Sequence, residues 1–191
     1  MNLNRIAIYC GHQAGDNPAY ADAAVALANA MAKRGIDLVY GGGKLGLMGI
    51  VADTILEAGG KVYGVIPQSL VDVEVAHQGL TELYPVPGMH ERKAKMTELT
   101  DAFVCLPGGI GTMDELMEAW TWNALGHHAK PFCLLNVNGF WDGFASFCDT
   151  VRDEGFMSPD RRAQLLMATT PVEAIEKLDA AAGAAQKGMV W

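Results

Sequence analysis

The chain has 191 residues, half of them hydrophobic and 19% charged, with a formal net charge of −8. That length suits one compact domain burying roughly 70% of its unfolded surface, and the composition excludes a disordered chain. The acidic balance excludes a large nucleic-acid footprint, which needs the opposite sign, and points to a small-molecule partner.

The opening MNLNRIAIYC lacks the basic start, apolar core and cleavage site of a signal peptide, and no apolar run approaches the roughly 20 residues of a membrane span. A cytoplasmic protein without a membrane or nucleic-acid partner is therefore expected. RIAIYC (5–10) predicts a buried strand, and 18–35 a helix closed by Gly35 after two cations. A strand at 37–42, a helix at 46–60 and a strand at 61–67 continue the alternation. After a looser polar section, 68–79, come a short strand near 80–86, a helix near 88–100 and a strand at 101–107. A helix at 111–126, a strand at 130–137, a helix at 140–154 and a strand–helix pair near 165–182 follow.

The strands are continuously apolar, as expected where helices cover both faces of a parallel sheet. The pattern predicts a single α/β domain over residues 1–182, a doubly wound, mostly parallel sheet flanked by helices, with ligands at the carboxyl ends of the strands. The small-residue end, 183–191, is expected to be a flexible tail. Cys10, Cys105, Cys133 and Cys148 have no paired spacing and read as buried free thiols. His12, His77, His90, His127 and His128 form no metal-binding pattern, so no metal is expected.

Three strands run straight into glycine, at CGHQAG, YGGGKLGLMG and LPGGIGTMDE. A backbone without Cβ atoms can approach an anion, and the helix that follows offers unpaired N–H groups with a partial positive charge. None of the turns has the spacing of a dinucleotide fingerprint or a P-loop. In the third, Gly108, Gly109 and Gly111 suit a single phosphate. Thr112 and Glu115 have the spacing of a capping box, which would make Thr112 a helix cap and Glu115 its structural partner. Upstream, GMHERKAKMTEL places Met89, Arg92, Lys93 and Met96 on one helical stripe. Both cations are expected to face the anion-binding edge, with the methionines packed beneath, unless the stripe is a solvated basic patch.

With MHERK (89–93), PGGIGTMDE (107–115), TWNALGHHAKPF (121–132) and GGGKLGLMG (41–49), the chain resembles the LOG family, the cytokinin riboside 5′-monophosphate phosphoribohydrolases, whose members were often labelled lysine decarboxylases. The resemblance implies a Rossmann-like homodimer with its pocket near the subunit interface, no cofactor, and hydrolysis of the N-glycosidic bond of an adenosine-type 5′-monophosphate. It implies Arg92 and Glu115 as the catalytic pair. Substrate contacts are implied at Lys93, Gly108, Gly109, Ile110, Gly111, Thr112, Met113, Asp114 and Thr121. Family members commonly carry Ser-Ser where this chain has His12-Gln13, and Glu74 and His77 are candidates for the base pocket. The alternative is a carrier that binds a nucleotide or phosphorylated cofactor without hydrolysing it. A pyridoxal-dependent decarboxylase is not expected, because no lysine stands in a matching context.

Overall fold

A computed structural model describes residues 3–71 and 76–187. Arg5–Tyr9 forms β1, in which every residue after Arg5 is buried. Alternate side chains leave opposite faces of a strand, so Ile6 and Ile8 enter one core while Ala7 and Tyr9 enter the other. Two covered faces explain the unbroken apolar runs.

The remaining elements in chain order are α1 (Pro18–Lys33), β2 (Asp37–Tyr40), α2 (Gly46–Glu57), β3 (Val62–Pro67), β4 (Glu82–Val86), α3 (Met89–Leu99) and β5 (Ala102–Cys105). They continue with α4 (Ile110–Ala124), β6 (Phe132–Leu135), α5 (Asp142–Asp153), α6 (Pro159–Ala163), β7 (Leu165–Ala168) and α7 (Pro171–Lys187). The seven strands form one sheet in the order β4-β3-β2-β1-β5-β6-β7. Every pairing in it is parallel. Pro85, which has no N–H to give to a ladder, falls in the edge strand β4.

Residues of α1, α2 and α7 fill the core on one face, whereas Met96 of α3, Leu116, Ala119 and Trp120 of α4 and Cys148 of α5 fill the other. From β1 the chain winds outward through β2 and β3 to β4, then α3 carries it back to β5 on the other flank of β1. Right-handed crossovers require the helices to change faces when the winding direction reverses. The turns after β1 and β5 therefore diverge, and a crevice opens between them at the carboxyl edge.

The expected doubly wound α/β sheet is thus present, and the four cysteines are buried free thiols. The sequence reading missed α6, which Ser158 begins by accepting a hydrogen bond from the Arg161 amide at 3.2 Å, with Pro159 at its first position. The last helix runs past residue 182 to Lys187; residues 188–191 of the expected tail lie outside the described residues. Among the described residues, no helix is long and apolar enough to cross a membrane.

Candidate active site

The three glycine turns meet at the crevice. The Gly11 amide donates to the Pro107 carbonyl at 3.1 Å, and the Leu47 amide donates to the Gly11 carbonyl at 3.1 Å, which ties together the turns after β1, β2 and β5. The packing leaves no room for side chains at two of these positions. A Cβ on Gly46, which has φ +59°, would lie 2.3 Å from the His12 carbonyl, and one on Gly108 would lie 2.1 Å from Thr112 Oγ1. Gly109 and Gly111 are different, since no atom stands within 4 Å of where their Cβ atoms would be. Their faces are open to the crevice.

A cavity of about 490 Å³ occupies it. Gly109, Ile110, Gly111, Thr112 and Glu115 of the third turn and α4 line one side, and Met89 and Arg92 of α3 line another. Ile8, Cys10, Gly11 and His12 contribute from β1 and its turn, Gly41 and Met48 from the second turn and α2, and Leu70 from the turn after β3. Gly11, His12 and Gly109 also border a side chamber of about 170 Å³, together with Gly108.

The capping-box expectation does not hold. Gly109 is the N-cap of α4, no side chain caps it, and the first helical bond runs from the Met113 amide to the Gly109 carbonyl at 3.1 Å. Thr112 is therefore the third residue of the helix, buried, and Glu115 lies a turn further on, at the cavity wall instead of the cap. The first turn of α4 carries no acidic side chain, and its residues Ile110, Gly111 and Thr112, whose amides an α-helix leaves without intrahelical partners, line the cavity.

Arg92 is 5% exposed, and its Nη2 donates to the Gly41 carbonyl at 2.9 Å, while Nη1 lies 3.8 Å from Met89 Sδ. A Cβ on Gly41 would sit 2.0 Å from that Nη2, so the second turn carries glycine where the guanidinium crosses it. Burial, followed by the Glu115 carboxylate, pushes the Cys10 thiol up, with Arg92 pulling the other way. The same two causes raise the Tyr9 phenol and the Cys105 thiol. All three groups stay neutral.

The stripe Met89, Arg92, Lys93, Met96 divides differently from expectation. Arg92 and Met89 face the cavity and Met96 packs in the core, but the Lys93 ammonium turns to α4 and is held by Asp114 and Glu118. Of the other residues singled out in the sequence, Gly108 borders the side chamber, and Met113, Asp114 and Thr121 are exposed on α4 outside both cavities. His77 is buried with its Nε2 2.9 Å from Asp53 Oδ1 on α2, and its Nδ1 accepts from the Gly79 amide at 3.0 Å. It lies outside the cavity lining. Glu74 falls outside the described residues. The sequence reading missed Met48 and Leu70, which carry no chemical signature of their own; Gly41 was legible as part of GGGKLG.

A doubly wound parallel sheet whose switch-point crevice joins glycine turns, an open helix N-terminus, a buried arginine and a carboxylate defines a Rossmann-like α/β protein built to hold an anionic ligand. Residues 48–178 match the family model described as "Possible lysine decarboxylase". The chain is 48% identical over 189 residues to the cytokinin riboside 5′-monophosphate phosphoribohydrolase LOG of Oryza sativa subsp. japonica, covering 99% of this chain and 78% of the relative. It is 45% identical over 177 residues to LOG3 of Arabidopsis thaliana, which carries the same enzyme name, covering 93% and 82%. The molybdenum cofactor binding protein of Rippkaea orientalis shares the fold at 19% identity, with a TM-score of 0.70 over 94% of this chain and 98% of that one. The chain belongs to the LOG family of phosphoribohydrolases. The decarboxylase label finds no counterpart in the site, because no lysine lines the cavity among the described residues to form a Schiff base.

Proposed function

We propose that the protein hydrolyses the N-glycosidic bond of adenosine-type 5′-monophosphates, releasing the free base and ribose 5-phosphate. The observation that carries this reading is the presence of Arg92 and Glu115 on the walls of one cavity whose floor is the open N-terminus of α4. The amides of Ile110, Gly111 and Thr112 take the 5′-phosphate, where backbone donors and the helix dipole both favour an anion. The ribose then extends toward Glu115.

Cleavage of the ribosyl–base bond builds positive charge on C1′ and the ring oxygen. A carboxylate beside that charge is worth most where water is excluded, which assigns Glu115 to stabilise it and to take a proton from the attacking water. The C1′–N bond breaks with its electron pair going to the base, the water oxygen bonds to C1′, and the base leaves with the proton that Glu115 took from the water. Arg92 anchors the phosphate or ribose oxygens, for which its planar fork of donors is suited. Met48, Leu70, Met89 and Ile110 add apolar lining to the cavity, which supports a base with an apolar N6 substituent, as in the cytokinin nucleotides named for the relatives.

The protein is further read as a homodimer with the site near its interface. Ile110, Met113 and Met117 are exposed and recur on one face of α4, with the exposed Leu125 at its C-cap, beginning at the cavity rim, where Ile110 is 83% exposed. A second copy covering this stripe would also close the cavity mouth.

Incubation of the protein with AMP and with N6-isopentenyl-AMP, followed by chromatography of the free base, tests the reading. Release of adenine or its N6-substituted form is expected. Folded protein that releases neither refutes it, and binding without turnover would favour the carrier alternative.

A further inference from the structure

We propose that Lys93 is a positioning residue whose ammonium, gripped by Asp114 and Glu118, fixes α3 against α4 and thereby sets Arg92 relative to Glu115, without touching the substrate. The inference rests on the function proposed above. Lys93 follows Arg92 on α3, so about 100° of helical turn separates the two side chains. Arg92 reaches the cavity while Lys93 points into the seam with α4.

The Lys93 side chain is 8% exposed, with Nζ 3.0 Å from Asp114 Oδ2 and 2.5 Å from Glu118 Oε2. Asp114 and Glu118 are one helical turn apart, which is the spacing that lets two carboxylates share one cation. Burial works against the charged ammonium, but hydrogen bonds and charge from Glu118 and Asp114 outweigh it, and the Lys93 pKa is raised. Glu118 has few alternatives, since its Oε1 is buried without a hydrogen-bond partner among the described residues. Reaching a phosphate would cost Lys93 both partners and leave Glu118 as an uncompensated, mostly buried charge.

The clamp adjoins both catalytic candidates. Lys93 is next to Arg92 in the chain, and Asp114 is next to Glu115. It is also electrostatic, because Asp114, Glu115 and Glu118 crowd three carboxylates into little more than one turn of α4. The Glu115 charge acts on Tyr9 and Cys10 at the end of β1 and on Cys105 at the end of β5, Arg92 and His12 line the same cavity, and Asp114 and Glu118 lie on its own helix. Without the Lys93 cation, the negative field of Asp114 and Glu118 on Glu115 is no longer offset. Glu115 would then hold its proton to higher pH.

The test is steady-state base release from AMP as a function of pH, comparing wild type with Lys93→Met and Lys93→Arg. Lys93→Met is expected to lower kcat by roughly 10- to 100-fold while KM rises by less than about tenfold, as for a small misplacement of catalytic groups. The acid limb of its kcat/KM profile should move to higher pH, and Lys93→Arg should restore the limb and most of kcat. A KM raised more than about tenfold with kcat kept would make Lys93 a substrate contact and overturn the inference. Unchanged kcat, KM and acid limb would overturn it too. If Lys93→Met does not fold, Asp114→Asn is expected to give the same split at smaller size, and wild-type kinetics in folded Asp114→Asn refute the clamp. If wild type itself releases no base, the proposed function has failed, and AMP affinity by calorimetry then decides the clamp. An affinity loss in Lys93→Met of less than about tenfold supports it, and a larger loss overturns it.

Discussion

Gly41→Ala places a single methyl group against the guanidinium assigned to substrate, and its effect follows from one distance. The new Cβ would stand 2.0 Å from Arg92 Nη2, 3.1 Å from Cζ and 3.3 Å from Met48 Sδ. Contacts between unbonded heavy atoms settle near 3.5 Å, so the guanidinium must retreat by more than about 1 Å. Its 2.9 Å hydrogen bond to the Gly41 carbonyl is distorted in the process. A displacement of about 1 Å in a positioned group costs on the order of 100-fold in rate, equivalent to roughly 2.7 kcal/mol of barrier. Global stability should fall by only about 1 kcal/mol, the value of one net hydrogen bond, because Gly41 has no left-handed backbone angle to preserve. Base release from AMP gives the first quantity and urea denaturation the second. Gly111→Ala is the control, since nothing lies within 4 Å of its Cβ position; it should fold as wild type does, with any loss confined to KM. If Gly41→Ala folds and retains activity within about threefold of wild type, the placement of Arg92 over Gly41 is not what the chemistry depends on.

Glu115→Gln should lower kcat by about 10²- to 10⁴-fold, the range for a positioned acid–base group, while AMP still binds by calorimetry; undiminished turnover removes Glu115 from the mechanism. Met117→Glu, on the exposed stripe of α4, should shift the protein to monomer in light scattering if that stripe is the dimer contact, and an unchanged mass refutes that assignment. Burial, reinforced by Lys130, lowers His128 to about 4. The folded value lies below the ordinary one near 6.5, so its contribution is present above pH 6.5 and is lost as pH falls through 4. Thermal melts of wild type should therefore weaken more steeply over that window than those of His128→Asn, and parallel curves contradict the assignment. Hydrogen bonds from Lys177 and from the Thr169 backbone bring Glu173 down to about 2. Its stabilisation is present above 4.5 and fades toward 2, so the melting difference from Glu173→Gln should shrink across that range.

The fold was legible because most of its strands are buried on both faces and carry no polar alternation to confuse the pattern, and because glycine marks the turns where three of them end. The order of the strands was not, since β1 lies between β2 and β5 through pairings far apart in sequence. At the site, sequence spacing succeeded where the backbone alone fixes the outcome and failed where a partner helix decides. Thr112 and Glu115 satisfy the capping-box spacing, yet α4 begins at Ile110, three residues before a Thr112 cap would start it, because Gly109 can serve as a cap without a side chain. Arg92 and Lys93 are adjacent cations on one predicted stripe, and nothing in α3 distinguishes them. The distinction comes from α4, where Asp114 and Glu118 stand one turn apart and capture Lys93, while Gly41, by lacking a Cβ, admits Arg92. Each residue that separates the two cations lies at least 20 positions away in the chain or on another element. A helical stripe read by itself gives the ring of candidates, and only the neighbouring elements determine which of them meets the ligand.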